Sequence, residues 1–304
     1  MNTGRRSPDV LYITGAGHSG SSMLDVLLGS HPQISSTGEV HRLSLEPNSR
    51  LCACGTPIDN CKYWSGVRST LSASLQQQIA SWSALPVTGG REAFNGHIRR
   101  ILGQTLLAVG SRSLVKQIRR FLASLEAQQL AASNSWALFD AIGNHDDTAI
   151  VIDSSKSPGR MKSLRVEKPH RLKALYLIRD GRAVAASEMR RKQVDFDTAV
   201  RSWVKANRRT RIMLRSMPRE DVFHVKYEDL CAAPLETLNA IFTFLGVHRM
   251  QQLCIPREGS YHAIPGNPIL LRGFKQISID ERWRDELSLE QLARFSKLTK
   301  RLAT

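Results

Sequence analysis

The residues 15–24, GAGHSGSSML, gather three glycines, three serines and a histidine within one short stretch. Gly15, Gly17 and Gly20 let the backbone turn tightly and approach a ligand closely. A helix beginning after such a loop offers unpaired N–H groups and the positive end of its dipole, which together hold an anion. Ser19, Ser21 and Ser22 add hydroxyl donors, and His18 adds a donor that can carry charge. An ordinary strand-to-helix turn would use the same glycines. Just beyond, SSTGEVHRL supplies Glu39 and His41, either of which has the chemistry of a general base; an ion-paired glutamate and a packed histidine are the plainer uses of the same residues. Cys52, Cys54 and Cys61 lie in CACGTPIDNCKYW, which lacks the C-x-x-C knuckle usual in zinc sites. Small, partly buried thiols in a compact turn are the first reading of this cluster. A zinc site with His41 as a fourth ligand, or a disulfide, stand behind it.

The elements that must position these groups follow from hydrophobic periodicity. VLYIT (10–14) is an apolar run feeding the glycine-rich turn, and a helical pattern follows from about Ser21 to Ser30. This strand–loop–helix opening is the unit that builds a parallel sheet. AIVID (149–153) and ALYLI (174–178) are continuous apolar runs, as expected of strands covered on both faces. VFHVKY (222–227) reads as another strand. Helical patterns cover about 181–191, 195–216 and 234–245, and a last helix starts at Ser288, where Ser-Leu-Glu-Gln forms a capping-box pattern. Residues 45–68 read as loop, and 69–140 as a helical insertion without a chemical motif, the place for acceptor specificity. The reading is a single α/β domain over 1–304: a P-loop-like three-layer fold whose central, mainly parallel sheet is flanked by helices.

The chain has 304 residues, five cysteines and a formal charge of +16. An odd cysteine count does not suggest a secreted disulfide framework. The N-terminus runs directly into the first strand with no room for a signal peptide, and no apolar run is long enough to cross a bilayer. The expected location is the cytoplasm. The charge suits an anionic ligand, an acidic acceptor, an anionic membrane surface touched peripherally, or nucleic acid. Scattered Lys and Arg without interleaved aromatic residues argue against nucleic acid.

The loop spacing approaches G-x-x-x-x-G-K-[ST], but Ser21 stands where that motif needs its lysine. A nucleoside triphosphate would miss this charge, whereas a phosphosulfate, with a less negative terminal group, can manage without it. His18-Ser19-Gly20-Ser21-Ser22-Met23-Leu24 resembles the 5′-phosphosulfate loop of the sulfotransferases that use 3′-phosphoadenosine-5′-phosphosulfate (PAPS), with His in place of the usual Lys or Arg. Neighbouring phosphate oxygens would favour the charged imidazole. Arg179 after ALYLI, and Ser187 eight residues later, resemble the family's 3′-phosphate site, and the run Arg179-Asp180-Gly181-Arg182-Ala183 resembles the tyrosylprotein and Golgi-type branch.

VIDSSKSP resembles the segment that brings a lysine, here Lys156, to the sulfuryl group, and VKYEDL the one that places a tyrosine, here Tyr227, by the adenine. Residues 258–284 resemble the C-terminal segment that covers the nucleotide, with His262, Gly266, Asn267 and Arg272 as candidates. The resemblance implies PAPS as donor and its bisphosphate (PAP) as product. It implies an acceptor hydroxyl on a glycan, lipid-linked sugar, natural product or protein tyrosine. Glu39 falls at that branch's catalytic glutamate, with His41 as the alternative base. His18 and Lys156 would stabilise charge on the bridging oxygen, a scheme that demands no metal. A P-loop kinase or hydrolase, with Asp153 as its magnesium ligand, and a nucleotide-binding protein without activity are the rival readings.

Overall fold

The computed structural model describes residues 7–44, 50–88, 112–254, 261–267 and 277–300, with the side chains of 112–124 left out. β1 (Asp9–Gly15) leads through the glycine-rich loop into α1 (Ser21–Leu28), and the chain returns as β2 (Ile34–Ser36). α2 (Lys62–Leu75) and α3 (Arg112–Asp146) precede β3 (Ile150–Lys156), α4 (Pro158–Glu167) and β4 (Leu172–Ile178). α5 (Gly181–Lys192) and α6 (Phe196–Leu214) lead to β5 (Val222–Lys226), then α7 (Tyr227–Ala232) and α8 (Pro234–Leu245). α9 (Trp283–Glu286) and α10 (Leu289–Thr299) follow the C-terminal segment.

The five strands form one parallel sheet in the order β2-β3-β1-β4-β5. Period-two alternation sends β1 side chains into two separate cores. Val10 and Tyr12 join Trp64, Trp136 and Phe139 from α2 and α3, whereas Leu11 and Ile13 join Leu24, Leu238 and Phe242 from α1 and α8. Both faces are therefore covered, which is why the strands read as unbroken apolar runs. Because β1 is central and the chain crosses from β3 on one side of it to β4 on the other, the segments leaving β1, β3 and β4 diverge at one edge. That crevice is where open α/β sheets bind ligands.

The structure departs from the sequence reading in four places. α2 starts at Lys62, inside the stretch read as loop, because Trp64, Val67 and Leu71 recur at helical spacing and are fully buried, a stripe diluted in sequence by Ser, Gly and Thr. β2 was not anticipated: three residues carry no periodicity, and only pairing with β3 holds them extended. Tyr227 opens α7 rather than ending β5. α3 also runs on to Asp146, past the expected end of the helical insertion. At Ser288 the capping box is formed as expected. No described helix is long and apolar enough to cross a membrane.

Candidate active site

The loop after β1 is shaped by backbone that side chains rarely adopt. Gly15 has φ +147°, and a Cβ there would collide with the Leu177 carbonyl on β4. Gly20 has φ +89° and lies against the Tyr227 ring, 2.5 Å from where a Cβ would stand. His18 takes φ 62° without being glycine. Gly17, by contrast, has open space where a Cβ would go. The loop presents the N-terminus of α1, which has no side-chain cap. Ser19 is buried, and its hydroxyl has no partner among the described residues; Ser21 and Ser22 are buried beside it. Burial holds the His18 imidazole down at a pKa of about 4 against the pull of Glu188, and the charges of Lys192, Arg191 and Lys156 act in the same sense as burial. In this state His18 is neutral at pH 7, a donor without charge.

Lys156, at the end of β3 with φ 63°, reaches both the loop and the turn after β2. Its Nζ lies 3.2 Å from Ser21 Oγ and 2.5 Å from Glu39 Oε1. Arg42 approaches the other Glu39 oxygen at 3.6 Å. Burial alone would raise the Glu39 pKa, but the charge and hydrogen bond of Lys156, with His41 and Arg42, hold it below the usual carboxylate value. Glu39 also rests on Gly266, where any Cβ would overlap its carboxylate. His41 Nδ1 is buried without a partner among the described residues, and burial lowers its pKa to about 4 despite Asp153 and Glu39. Gly15, Gly17, Glu39, His41 and Lys156 line one end of a cleft of about 930 Å³ that continues between α3, α4 and α6.

Arg179 leaves β4 buried beneath the loop. It donates from Nη1 to the His18 carbonyl (3.0 Å) and from Nη2 to the Asp280 carbonyl (3.1 Å), pairs with the Asp280 carboxylate (3.3 Å), and stacks its guanidinium 4.3 Å from the Tyr227 ring centre. Its Nε is buried and has no partner among the described residues. Ser187 is buried on the helix that follows. Within the Arg179–Ala183 run only Arg179 turns to the loop: Asp180 caps α5, and Arg182 pairs with Asp180 and stacks on Trp283. Tyr227 is buried, and its hydroxyl donates to the Ser278 carbonyl at 3.3 Å. Gly266 and Asn267 are half-buried on the segment facing Glu39. Arg272 lies outside the described residues.

A model of the sulfotransferase family matches residues 75–251, more than half of the chain. The chain belongs to the sulfotransferase family. The match holds Lys156, Arg179, Ser187 and Tyr227, while the glycine-rich loop and Glu39 precede it. No curated protein sequence matches. The sulfotransferase domain of the Synechococcus PCC 7002 olefin synthase is similar in fold, at 19% identity and a TM-score of 0.56 over 100% of this chain and 98% of that one. The sulfotransferase domain from the curacin biosynthetic pathway is similar at 16% identity and a TM-score of 0.55, covering 98% and 99%.

Several residues of this sulfotransferase site escaped the sequence reading. Asp280 clamps Arg179 and Arg282. Arg160 engages one Asp153 oxygen at 2.9 Å and lines the cleft; the other accepts from the Ser155 N–H. Asp25, fully buried in α1, accepts from Ser36 (2.6 Å) and Ser154 (3.2 Å) behind the Glu39 turn. All three depend on pairings across the fold that no local pattern announces. The thiols of Cys52, Cys54 and Cys61 do gather, but with His262 rather than His41.

Proposed function

We propose that this sulfotransferase transfers the sulfuryl group of PAPS to an acceptor hydroxyl held in the cleft between α3, α4 and α6, with Glu39 taking the acceptor proton. The observation that carries the reading is Lys156, whose ammonium bridges Ser21 of the anion loop and Glu39 at the cleft end. The site suits the donor on its own evidence: the buried Ser19 hydroxyl and Arg179 Nε have no partner among the described residues, and Gly17 leaves its side of the loop open. The donor supplies an activated sulfuryl group on a bisphosphate leaving group. The α1 N-terminus with Ser19, Ser21, Ser22 and His18 would hold its 5′ end. Arg179 and Ser187 would hold the 3′-phosphate, with Tyr227 beside the adenine and Gly266, Asn267 and Arg272 on the covering segment.

Lys156 then has two tasks. Drawn to the anionic 5′ end, its ammonium would stabilise the charge that develops on the leaving group. In doing so it would leave Glu39, whose basicity would rise as the ion pair opened. The Glu39 carboxylate can accept the acceptor proton at the mouth of the cleft. The cleft wall of Val87, Ala131, Leu164 and Met213, with Lys162 and Arg209 nearby, favours a hydroxyl acceptor with an apolar body. The kinase reading is disfavoured because both Asp153 oxygens are already engaged inside the protein.

Calorimetry with PAP and AMP tests the donor. PAP should bind markedly more tightly, and Arg179→Ala should weaken it by about 1.5–3 kcal/mol, the scale of a hydrogen bond to a charged group. Equal affinity for PAP and AMP would end the reading. Labelled PAPS incubated with candidate hydroxyl acceptors then tests transfer itself.

A further inference from the structure

The three cysteines between β2 and α2 and one histidine of the C-terminal segment form a group that the transfer chemistry does not use. Cys52 and Cys61 are buried, and Cys54 and His262 half-buried. Their four candidate ligand atoms all lie within 4.8 Å of one another. His262 Nδ1 stands 3.6 Å from Cys52 Sγ and 3.5 Å from Cys61 Sγ, and Cys54 Sγ stands 3.8 Å from Cys61 Sγ. These separations can be compared with a tetrahedron. With metal–sulfur bonds of about 2.3 Å and metal–nitrogen bonds of about 2.0–2.1 Å, tetrahedral zinc sets S···S edges near 3.8 Å and S···N edges near 3.6 Å. The sulfurs and nitrogen therefore stand close to zinc-ligand spacing.

The local backbone is built to hold them so. Gly55 takes φ +86° and donates its N–H to the Cys52 carbonyl at 2.9 Å, and the Cys52 N–H donates to Thr56 O at 2.8 Å. This tight turn puts Cys52 and Cys54 on one side although only one residue separates them. Cys61 is the N-cap residue of α2, so its side chain leaves from the first turn of that helix. The His262 ring is stacked on Tyr63, 5.0 Å between centres and 9° from parallel, and the Tyr63 hydroxyl is anchored on Asp146 at 2.8 Å. A disulfide would join only two of the three sulfurs and would leave the imidazole without a task.

We propose that Cys52, Cys54, Cys61 and His262 bind one zinc ion in a closed, four-ligand structural site. All four positions are filled by protein, so the metal has no open position for catalysis. Its effect is mechanical. His262 precedes the residues whose backbone holds the Glu39 turn: Ile264 N–H donates to Thr37 O and Glu39 N–H to Ile264 O, both at 2.9 Å, while Ala53 N–H donates to Ala263 O at 2.9 Å. Gly266 then backs the Glu39 carboxylate. Zinc would staple the cysteine loop to this segment and so fix the floor under Glu39. The inference rests on the cluster alone and survives whether or not PAPS is the donor.

Elemental analysis of the full chain, produced in zinc-containing medium and purified without chelators, should find about one zinc per chain. Cobalt exchanged into the same protein should give the intense visible bands of tetrahedral thiolate coordination. His262→Cys should keep the metal and shift those bands, because a thiolate replaces the imidazole. His262→Ala should lose metal, and a control with Cys231→Ser and Cys254→Ser should lose none. The parent protein decides the matter even if a variant fails to fold. Zinc absent from the parent, with the three thiols alkylating freely or with a Cys54–Cys61 disulfide found by mass spectrometry, would overturn the proposal.

Discussion

Glu39 and Lys156 oppose each other in the resting site. A carboxylate 2.5 Å from an ammonium is a poor base, because the pair favours the ionised form that a proton would destroy. On the proposed mechanism the same pair stores the lysine where the donor's anionic end would draw it away, so that basicity would appear only in the loaded site. Glu39→Gln keeps size and hydrogen bonding but removes the proposed proton acceptor. Turnover should fall by about 10²–10⁴-fold, the usual contribution of a general base, while PAP affinity stays within a few-fold. Product release and calorimetry on one preparation separate the two. Normal turnover by Glu39→Gln, with His41→Ala inactive, would move the base to His41. The loop stands out in sequence because its features are local, glycines and hydroxyls within one strand–loop–helix unit, and Glu39 follows shortly after it. The Lys156 link to Glu39 does not stand out, since only the β2–β3 pairing places the two side by side.

At the scale of elements, the segment leading into α9 acts as a latch. Asp280 gives its backbone carbonyl and carboxylate to Arg179, and its carboxylate also meets Arg190 at 3.6 Å and Arg282 at 2.7 Å. Arg282, outweighing burial, holds the Asp280 carboxyl far below its ordinary value, with Arg179 adding to it, so the latch is charged at any working pH. A 3′-phosphate held by Arg179, as proposed, would compete with this carboxylate. Asp280→Asn removes the competing charge and keeps the backbone contact. PAP binding should tighten by about two- to tenfold, the scale of one hydrogen-bonded ion pair, with its salt dependence steepened. Weaker binding would mean that Asp280 positions Arg179 instead of competing for it. Elements of this kind are poorly written in sequence. The buried strands β1, β3 and β4 announce themselves as apolar runs, and α6 and α8 by periodicity, but α2 hides its Trp64–Val67–Leu71 stripe among small polar residues. The latch has no pattern, because its meaning lies in Arg179, just after β4, and Arg190 of α5.

Across the whole molecule, Asp25 makes the stability of the fold depend on pH. It is fully buried in α1 and joins that helix to β2 through Ser36 and to β3 through Ser154, while Ser154 N–H donates to Gly38 O at 3.0 Å. Burial raises its pKa to about 7, against the hydrogen bonds of Ser36 and Ser154 and the charge of Lys156. The folded state therefore holds a proton that the unfolded chain, near its ordinary value of 3.8, has already lost. A raised pKa stabilises fully below the unfolded value, and that contribution fades as pH rises from about 4 through about 7. Between pH 5 and 8 this one group should cost the fold roughly 2–3 kcal/mol, from 1.36 kcal/mol per pKa unit. His18 and His41 work the other way. With pKa values lowered to about 4, they favour the fold increasingly as pH climbs from there to about 6.5. The parent's own pH profile thus mixes opposing slopes, and the difference between parent and Asp25→Asn isolates the carboxyl. Asparagine resembles the protonated acid, so urea midpoints should lie close together at pH 5 and separate in favour of the variant by pH 8. Parallel profiles from pH 5 to 8 would show that Asp25 is ionised throughout, held by its serines and Lys156 instead of neutralised by burial.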